Sequence, residues 1–338
     1  METAKPRWRR RGATAAICII SSAITADARA GWHEQEDACY KTTDSMRVAC
    51  AADAVDDLYV DYANCINSDD VRGCRREARH DYAEAKSECR DQAASRDELC
   101  DRLPDAGAYI ADLDPANFDG GCPAGNAYFP LVPGTVTTFV NETEDEEETI
   151  VVQVLDETRE IEGIEAIIVR DTVYEGLPDM NGEPTGDRIE DTDDYYALAN
   201  NCDVWYLGEV AQNFEDGYLD NLDGSFIAGV DDAQAGIIML ATPLVGAVYR
   251  QEFALGDAED AAEVLSLATD IYDEEGEVVE FDDPAFNCDG MCVETDDFVG
   301  NEADSSEHKF YKAGVGVVAE QDPNGEVVLK ILKQEFVP

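Results

Sequence analysis

Cys39, Cys50, Cys65, Cys74, Cys89 and Cys100 decide how the first third of this chain folds. They run from Asp37-Ala38-Cys39-Tyr40 to Glu98-Leu99-Cys100-Asp101. The gaps between them are 11, 15, 9, 15 and 11 residues, a palindrome in which 39 and 100, 50 and 89, and 65 and 74 each sum to 139. Six cysteines allow about 15 pairings, but this spacing selects one if the segment is two antiparallel helices. On a helix a step of 11 leaves a side chain roughly 20° from where it began, and a step of 15 roughly 60°. Each set of three therefore shares a stripe, and folding the chain back at Asn67–Gly73 brings the stripes into register. The expected bridges are Cys39–Cys100, Cys50–Cys89 and Cys65–Cys74.

The local signals agree. His33 to Ile66 contains no proline, Asn67-Ser68-Asp69-Asp70 offers turn and N-cap residues, and Arg72 to Leu103 is again proline-free until Pro104 stops it. Two helices alone bury little surface, so each bridge, at roughly 2–4 kcal/mol, matters greatly. Metal ligation or haem attachment is disfavoured, because the segment has no Cys-x-x-Cys.

Upstream, residues 1–30 read as a secretory signal. Lys5, Arg7, Arg9, Arg10 and Arg11 precede a small and apolar run from Ala13 to Thr25, and Ala28-Arg29-Ala30 fits a small-x-small cleavage site. Export to an oxidising compartment, secreted or periplasmic, suits the cysteine content. Cleavage after Ala30 would start the mature chain at Gly31-Trp32-His33. An α-amine, two backbone amides and a histidine at position three supply four nitrogens suited to Cu(II).

Charge sets the outer limits on function. The 338-residue chain holds 76 acidic and 24 basic residues, a net of −52. Residues 31–105 contain 19 acids and 10 bases, whereas residues 106–338 contain 55 and 8. Such a field repels nucleic acid and anionic lipid and attracts cations and basic partners. No segment after the leader has 18 uninterrupted apolar residues, so no membrane span is expected.

After Pro104 the pattern changes. Residues 106–128 read as a linker, and residues 129–338 as an acidic antiparallel β domain, which makes the whole an α+β chain of two domains. Strands are expected at Thr135–Val140, Thr149–Leu155, Ile161–Tyr174, Tyr195–Ala199, Val204–Leu207, Gly236–Ala241 and Ala247–Leu255, then at Val278–Phe281, His308–Lys312, Val315–Glu320 and Val327–Phe336. Asn181-Gly182 and Asp322-Pro323-Asn324-Gly325 are turn signals. Helical periodicity is expected, weakly, only at Ala258–Thr269. The sheet should be strongly curved or closed into a barrel.

Within it, Phe129-Pro130-Leu131-Val132-Pro133-Gly134-Thr135, Arg170-Asp171-Thr172-Val173-Tyr174, Asp203-Val204-Trp205-Tyr206-Leu207-Gly208-Glu209 and Tyr311-Lys312-Ala313-Gly314-Val315-Gly316 stand out. Together they resemble a set of exported bacterial β-rich proteins of uncharacterised function, over roughly residues 126–338. The resemblance implies an extracytoplasmic protein and lends no activity. Where those proteins usually carry proline before Gly-Val-Gly, this chain has Ala313.

The candidate sites are few. Cys122–Cys202 and Cys288–Cys292 are the expected remaining bridges. Asp216, Asp220 and Asp223 gather carboxylates in a glycine-punctuated loop, the donor set calcium takes, with Asp191-Thr192-Asp193-Asp194 and Asp231-Asp232 as alternatives. Arg170 and Arg250, the latter beside Tyr249, lie in strand-like runs where an inward arginine could hold an anionic ligand, although such an arginine more often pairs with a neighbouring carboxylate. Catalysis finds little support: there is no Gly-x-Ser-x-Gly, no His-Glu-x-x-His and no phosphate loop, and a serine triad would need His308. The leading expectation is an exported, non-enzymatic binding or structural protein, with an unidentified protein or small molecule as partner. A carrier of a small apolar or anionic ligand is the alternative, and a carboxylate-based hydrolase the third class. A carrier requires an apolar cavity of several hundred Å3, and an enzyme requires carboxylates converging in a cleft with shifted titration.

Overall fold

The computed structural model describes residues 37–143, 147–303 and 305–337. Two antiparallel helices come first, α1 (Ala38–Cys65) and α2 (Val71–Arg102). Disulfides join Cys39 to Cys100, Cys50 to Cys89 and Cys65 to Cys74, with Cα–Cα distances of 5.8, 5.7 and 5.5 Å. Asp70 caps α2 by accepting a hydrogen bond from the Gly73 backbone N–H at 2.9 Å. Leu103 is already extended, and Pro104 follows. Apart from its cysteines the hairpin buries little: Thr43, Ala54, Ala78, Ala93, Arg96 and Leu99. Covalent bonds therefore do much of the work that a core does elsewhere.

The rest is one antiparallel sheet. In chain order the described strands are β1 (Thr135–Glu142), β2 (Glu147–Ile161), β3 (Ile164–Glu175), β4 (Arg188–Leu198), β5 (Val204–Glu215), β6 (Tyr218–Asn221), β7 (Phe226–Ile227) and β8 (Gln234–Met239). Then follow β9 (Val248–Arg250), β10 (Glu252–Phe253), β11 (Asp260–Thr269), β12 (Cys292–Val299), β13 (Glu307–Lys312), β14 (Gly316–Gln321) and β15 (Val327–Phe336). Their order runs β10-β8-β5-β4-β3-β2-β1-β15-β14-β13-β12-β11-β9, with the short β6 and β7 attached to β5.

The two ends of that order are neighbours in sequence. β9 pairs with β11 through Arg250 and Ala261, and β10 pairs with β8 through Glu252 and Ala235. The single run 248–253 thus serves both edges and brings the sheet to near closure, which removes the exposed edges that invite aggregation. The seam demands a glycine. A Cβ on Gly236 would lie 2.3 Å from the backbone of Gln251, so no other residue fits there without moving the strand.

Three expectations need correcting. Ala258–Thr269 contains β11, not a helix. Its Ala, Glu and Leu content favours helix, but Ala261, Ala262 and Val264 are completely buried between β9 and β12, and that packing overrides propensity. Val278–Phe281 makes only an isolated bridge from Val278 to Tyr272, because that excursion is too short to pair further. Ile161–Tyr174 is broken at Glu162-Gly163, both with positive φ, where β2 turns into β3. Asn181-Gly182 turns within the long β3–β4 connection, and Asp322–Gly325 joins β14 to β15.

The linker packs outside the barrel before entering it. Leu113 and Phe118 cover Ile161, Ile164 and Leu207, and Cys122 is bonded to Cys202. Asn126 then turns the chain. Its Oδ1 accepts from the N–H groups of Tyr128 and Phe129, and its Nδ2 donates to the carbonyls of Cys202 and Met239. On the other side, Phe281 and Phe286 cover Phe310 and Ile331, near the Cys288–Cys292 bridge.

The hairpin docks by its open end. Arg96 donates from Nε and Nη2 to both oxygens of Glu259, with Nη2 to Oε1 at 2.6 Å, and the two side chains are 5% and 2% exposed. Arg102 bonds Glu263 and Asp296 at 2.9 and 2.6 Å and lies 3.7 Å from the centre of the Phe298 ring. Leu99 is buried against Gly300. The opposite end of the hairpin, closed by Cys65–Cys74, leaves Tyr59, Val60 and Ile66 exposed.

Candidate functional site

Strand alternation sends every second residue of the barrel inward. On β3 that set includes Val169 and Asp171, and on β4 it includes Asp194 and Tyr196. All four line an interior chamber of about 360 Å3. Phe129, Pro130 and Leu131 of the entering segment form part of its wall, with Val152, Val154 and Ile238 among the aliphatic side chains around it. An aromatic column flanks it. Phe129 meets Tyr196 edge-on at 5.0 Å, Tyr196 stacks on Tyr206 at 4.7 Å, and Tyr206 meets Phe226 edge-on at 5.4 Å.

Carboxyl groups face this apolar space. The Tyr206 hydroxyl donates to Oδ1 of Asp194, whereas Oδ1 of Asp171 is buried without a hydrogen-bond partner. Burial holds Asp171 well above the usual carboxylate range, and the charge of Asp194 pushes the same way. Burial also pushes Asp194 up to about 7, against the lowering effect of the Tyr206 hydrogen bond. Glu209 is pushed up to about 8 by burial and then by Asp194. Glu252 is raised by burial and by Asp260, which burial itself takes up to about 6. Around neutral pH much of this cluster therefore holds its protons.

Ile150, Lys309, Glu320 and Leu329 border both this chamber and a second space of about 620 Å3, so they form the wall between them. Gln251, Asp260, Asp297, Glu302 and Glu307 line that second space and make it an acidic vestibule. Lys309 sits 3.7 Å from both Asp297 and Glu320, and Gln251 donates to Asp297 at 2.9 Å.

The residues singled out from sequence fall elsewhere. Gly31, Trp32 and His33, the proposed copper ligands, lie outside the described residues, as does the leader. Asp216 forms a two-residue turn with Gly217, both at positive φ, between β5 and β6. That hairpin does not gather Asp216, Asp220 and Asp223: among the described residues, only His80, Asp81 and Glu84 bring three potential ligands together, fully exposed on α2. Asp216 lies in the turn, Asp220 in β6 and Asp223 beyond it, so the three carboxylates do not converge.

Arg170 does not point inward. It is 45% exposed and bonds Asp193 across the β3–β4 ladder at 2.7 Å, with Asp191 at 3.7 Å. Its neighbour Asp171 takes the interior position, as a period of two requires. Tyr249 and Arg250 divide in the same way. The Tyr249 hydroxyl is buried without a partner and feels the charge of Asp297, while Arg250 faces the helical hairpin and reaches Cys39. His308 pairs with Glu294 at 3.0 Å, which raises its pKa, so its ring is engaged by a carboxylate rather than a serine.

Sequence reading did not single out Asp171, and it named Asp194 only within an alternative calcium cluster. The available signal was phase: each is a carboxylate on the same strand face as apolar or aromatic neighbours, Val169 and Val173 for one and Tyr196 for the other. No family model, curated protein or solved structure matches the chain.

Proposed function

We propose that this is an exported binding protein whose barrel holds a small, mainly apolar molecule bearing a basic amine. The observation that carries this reading is Asp171, a carboxyl with an unpartnered oxygen buried at the wall of an apolar chamber of about 360 Å3. A buried polar group without a partner costs about 1–3 kcal/mol, so such a group is kept where a ligand satisfies it. An amine entering the chamber takes the proton of Asp171 and leaves an ammonium–carboxylate pair. The aliphatic wall and the Tyr196 ring receive the rest of the molecule.

Lys309 in the chamber wall is already engaged by Asp297 and Glu320, so it does not invite an anionic cargo. The hydrolase reading has its converging carboxyls in Asp171 and Asp194, but the wall around them is mainly apolar, and its donors Gln334 and Lys309 are already engaged by protein groups. A hydrolase also needs an ionised base beside its acid. Carriage is therefore the better account. Five disulfides agree with a secreted or periplasmic location, as does the resemblance noted over residues 126–338. No helix among the described residues is long and apolar enough to cross a membrane. The hairpin is a rigid arm that presents its far end to a partner.

Calorimetric titration with hexylamine and hexanol tests the chamber. Hexylamine should bind more than tenfold more tightly than hexanol at pH 8, the step that a charge-assisted hydrogen bond of about 1.5–3 kcal/mol supplies. The isosteric change Asp171→Asn should abolish that preference. Equal binding of the two probes, or none at all, would contradict the reading.

A further inference from the structure

A third cavity, of about 480 Å3, lies where the hairpin, the linker and the seam strand meet. Its walls come from three parts of the chain: Cys39 at the base of the hairpin, Tyr109 of the linker, and Trp205, Ile237, Phe253 and Arg250 of the barrel. It is separate from the acidic chamber: the two share no lining residue.

Arg250 is the unusual group. It is 7% exposed and makes no ion pair within 4 Å among the described residues. Its Nη2 reaches only Cys39 Sγ, at 3.6 Å, a weak acceptor already committed to a disulfide. Its guanidinium carbon lies 4.7 Å from the Phe253 ring centre and 5.8 Å from that of Tyr109, so both rings offer it a face. Its Nη1 is buried with no hydrogen-bond partner. Glu259, a carboxylate whose field acts on it, gives both its oxygens to Arg96. The one acid in the cavity wall, Asp105, is exposed at its rim and makes no ion pair with Arg250. Burial penalises this cation, yet a guanidinium stays charged.

We propose that this cavity binds a small organic carboxylate with an apolar or aromatic body. One carboxylate oxygen accepts the free Nη1–H, and the body lies along Trp205, Ile237 and Val248. The choice of carboxylate over phosphate follows from the donors. One unused nitrogen suits a single oxygen of a monoanion, while phosphate presents more oxygens and more charge to a mostly apolar wall with Asp105 at its rim. A molecule seated here touches hairpin, linker and seam at once.

The test is calorimetric titration of the full secreted protein with benzoate at pH 7, with benzylamine and sulfate run in parallel. Benzoate should bind with one-to-one stoichiometry, and neither control should match it. Arg250→Met should weaken benzoate at least tenfold while leaving thermal stability equal or higher, because an unpaired buried cation becomes an apolar chain of similar reach. Hydrogen exchange on the unaltered protein gives a readout independent of that variant's folding: benzoate should slow exchange at residues 103–110 and 248–253. Absent binding, binding that survives Arg250→Met, sulfate equal to benzoate, or protection elsewhere would each overturn the proposal. The hexylamine titration probes the acidic chamber, so either site can fail alone.

Discussion

The hairpin and the barrel solve one problem by different chemistry. The hairpin has two helices of roughly 42 and 48 Å, at about 1.5 Å per residue, and scarcely any core, so three disulfides hold it. The barrel holds itself through a nearly closed ladder and four clusters of buried side chains, and it can afford carboxyl groups inside. Redox conditions should therefore govern the first region and pH the second. The two meet at a small contact whose centre is a buried ion pair.

That contact offers the largest single-residue effect. Arg96→Ala strands Glu259, which is 2% exposed, as a buried charge without its partner. Stability should fall by about 3–5 kcal/mol, measured by urea unfolding followed through barrel fluorescence. A loss below about 1 kcal/mol would mean that the hairpin does not lean on the barrel there. Replacing both partners with apolar residues of similar volume should recover most of the loss.

The smaller effect is on the pH profile, and its sign follows from the direction of the shifts. Asp260, Asp194 and Glu209 titrate in the folded state near 6, 7 and 8, and burial raises Asp171 and Glu252 as well. All of them titrate near 4 when unfolded. Between roughly pH 4 and 8 the folded protein thus binds more protons than the unfolded chain. This stabilisation is fully present below about pH 4 and is lost as pH rises through the folded-state values. His308, raised by Glu294, acts in the same direction. The ligand-free protein should be more stable at pH 5 than at pH 8, and Asp194→Asn should flatten that slope by on the order of one proton. Thermal melts at a series of pH values would read it, and stability that rises from pH 5 to 8 would contradict the assignment of the buried acids.

The difference between the regions also explains what the residues disclosed before folding. A covalent staple leaves its geometry in the spacing of the cysteines, so the hairpin was legible from six positions. The β character of the second region was legible from its branched and aromatic runs. Strong curvature or closure was expected as well, but the seam was not, because it depends on 248–253 pairing with β11 on one side and β8 on the other. β11 itself reads as helix until its neighbours bury it. The interior acids were hidden by their abundance: among so many carboxylates, residue type carries little information and only phase does. Arg170 and Asp171 differ by one position, and a shift of one residue exchanges the inside of a strand for the outside.

Hydrogen exchange with and without a disulfide reductant tests most directly whether the two regions are held separately. With reductant present at pH 6, backbone amides of residues 38–65 and 71–102 should lose protection, while those of β1 to β5 and β11 to β15 keep it. Loss of protection in both regions together, or helices that stay protected after their three bridges are reduced, would contradict this account.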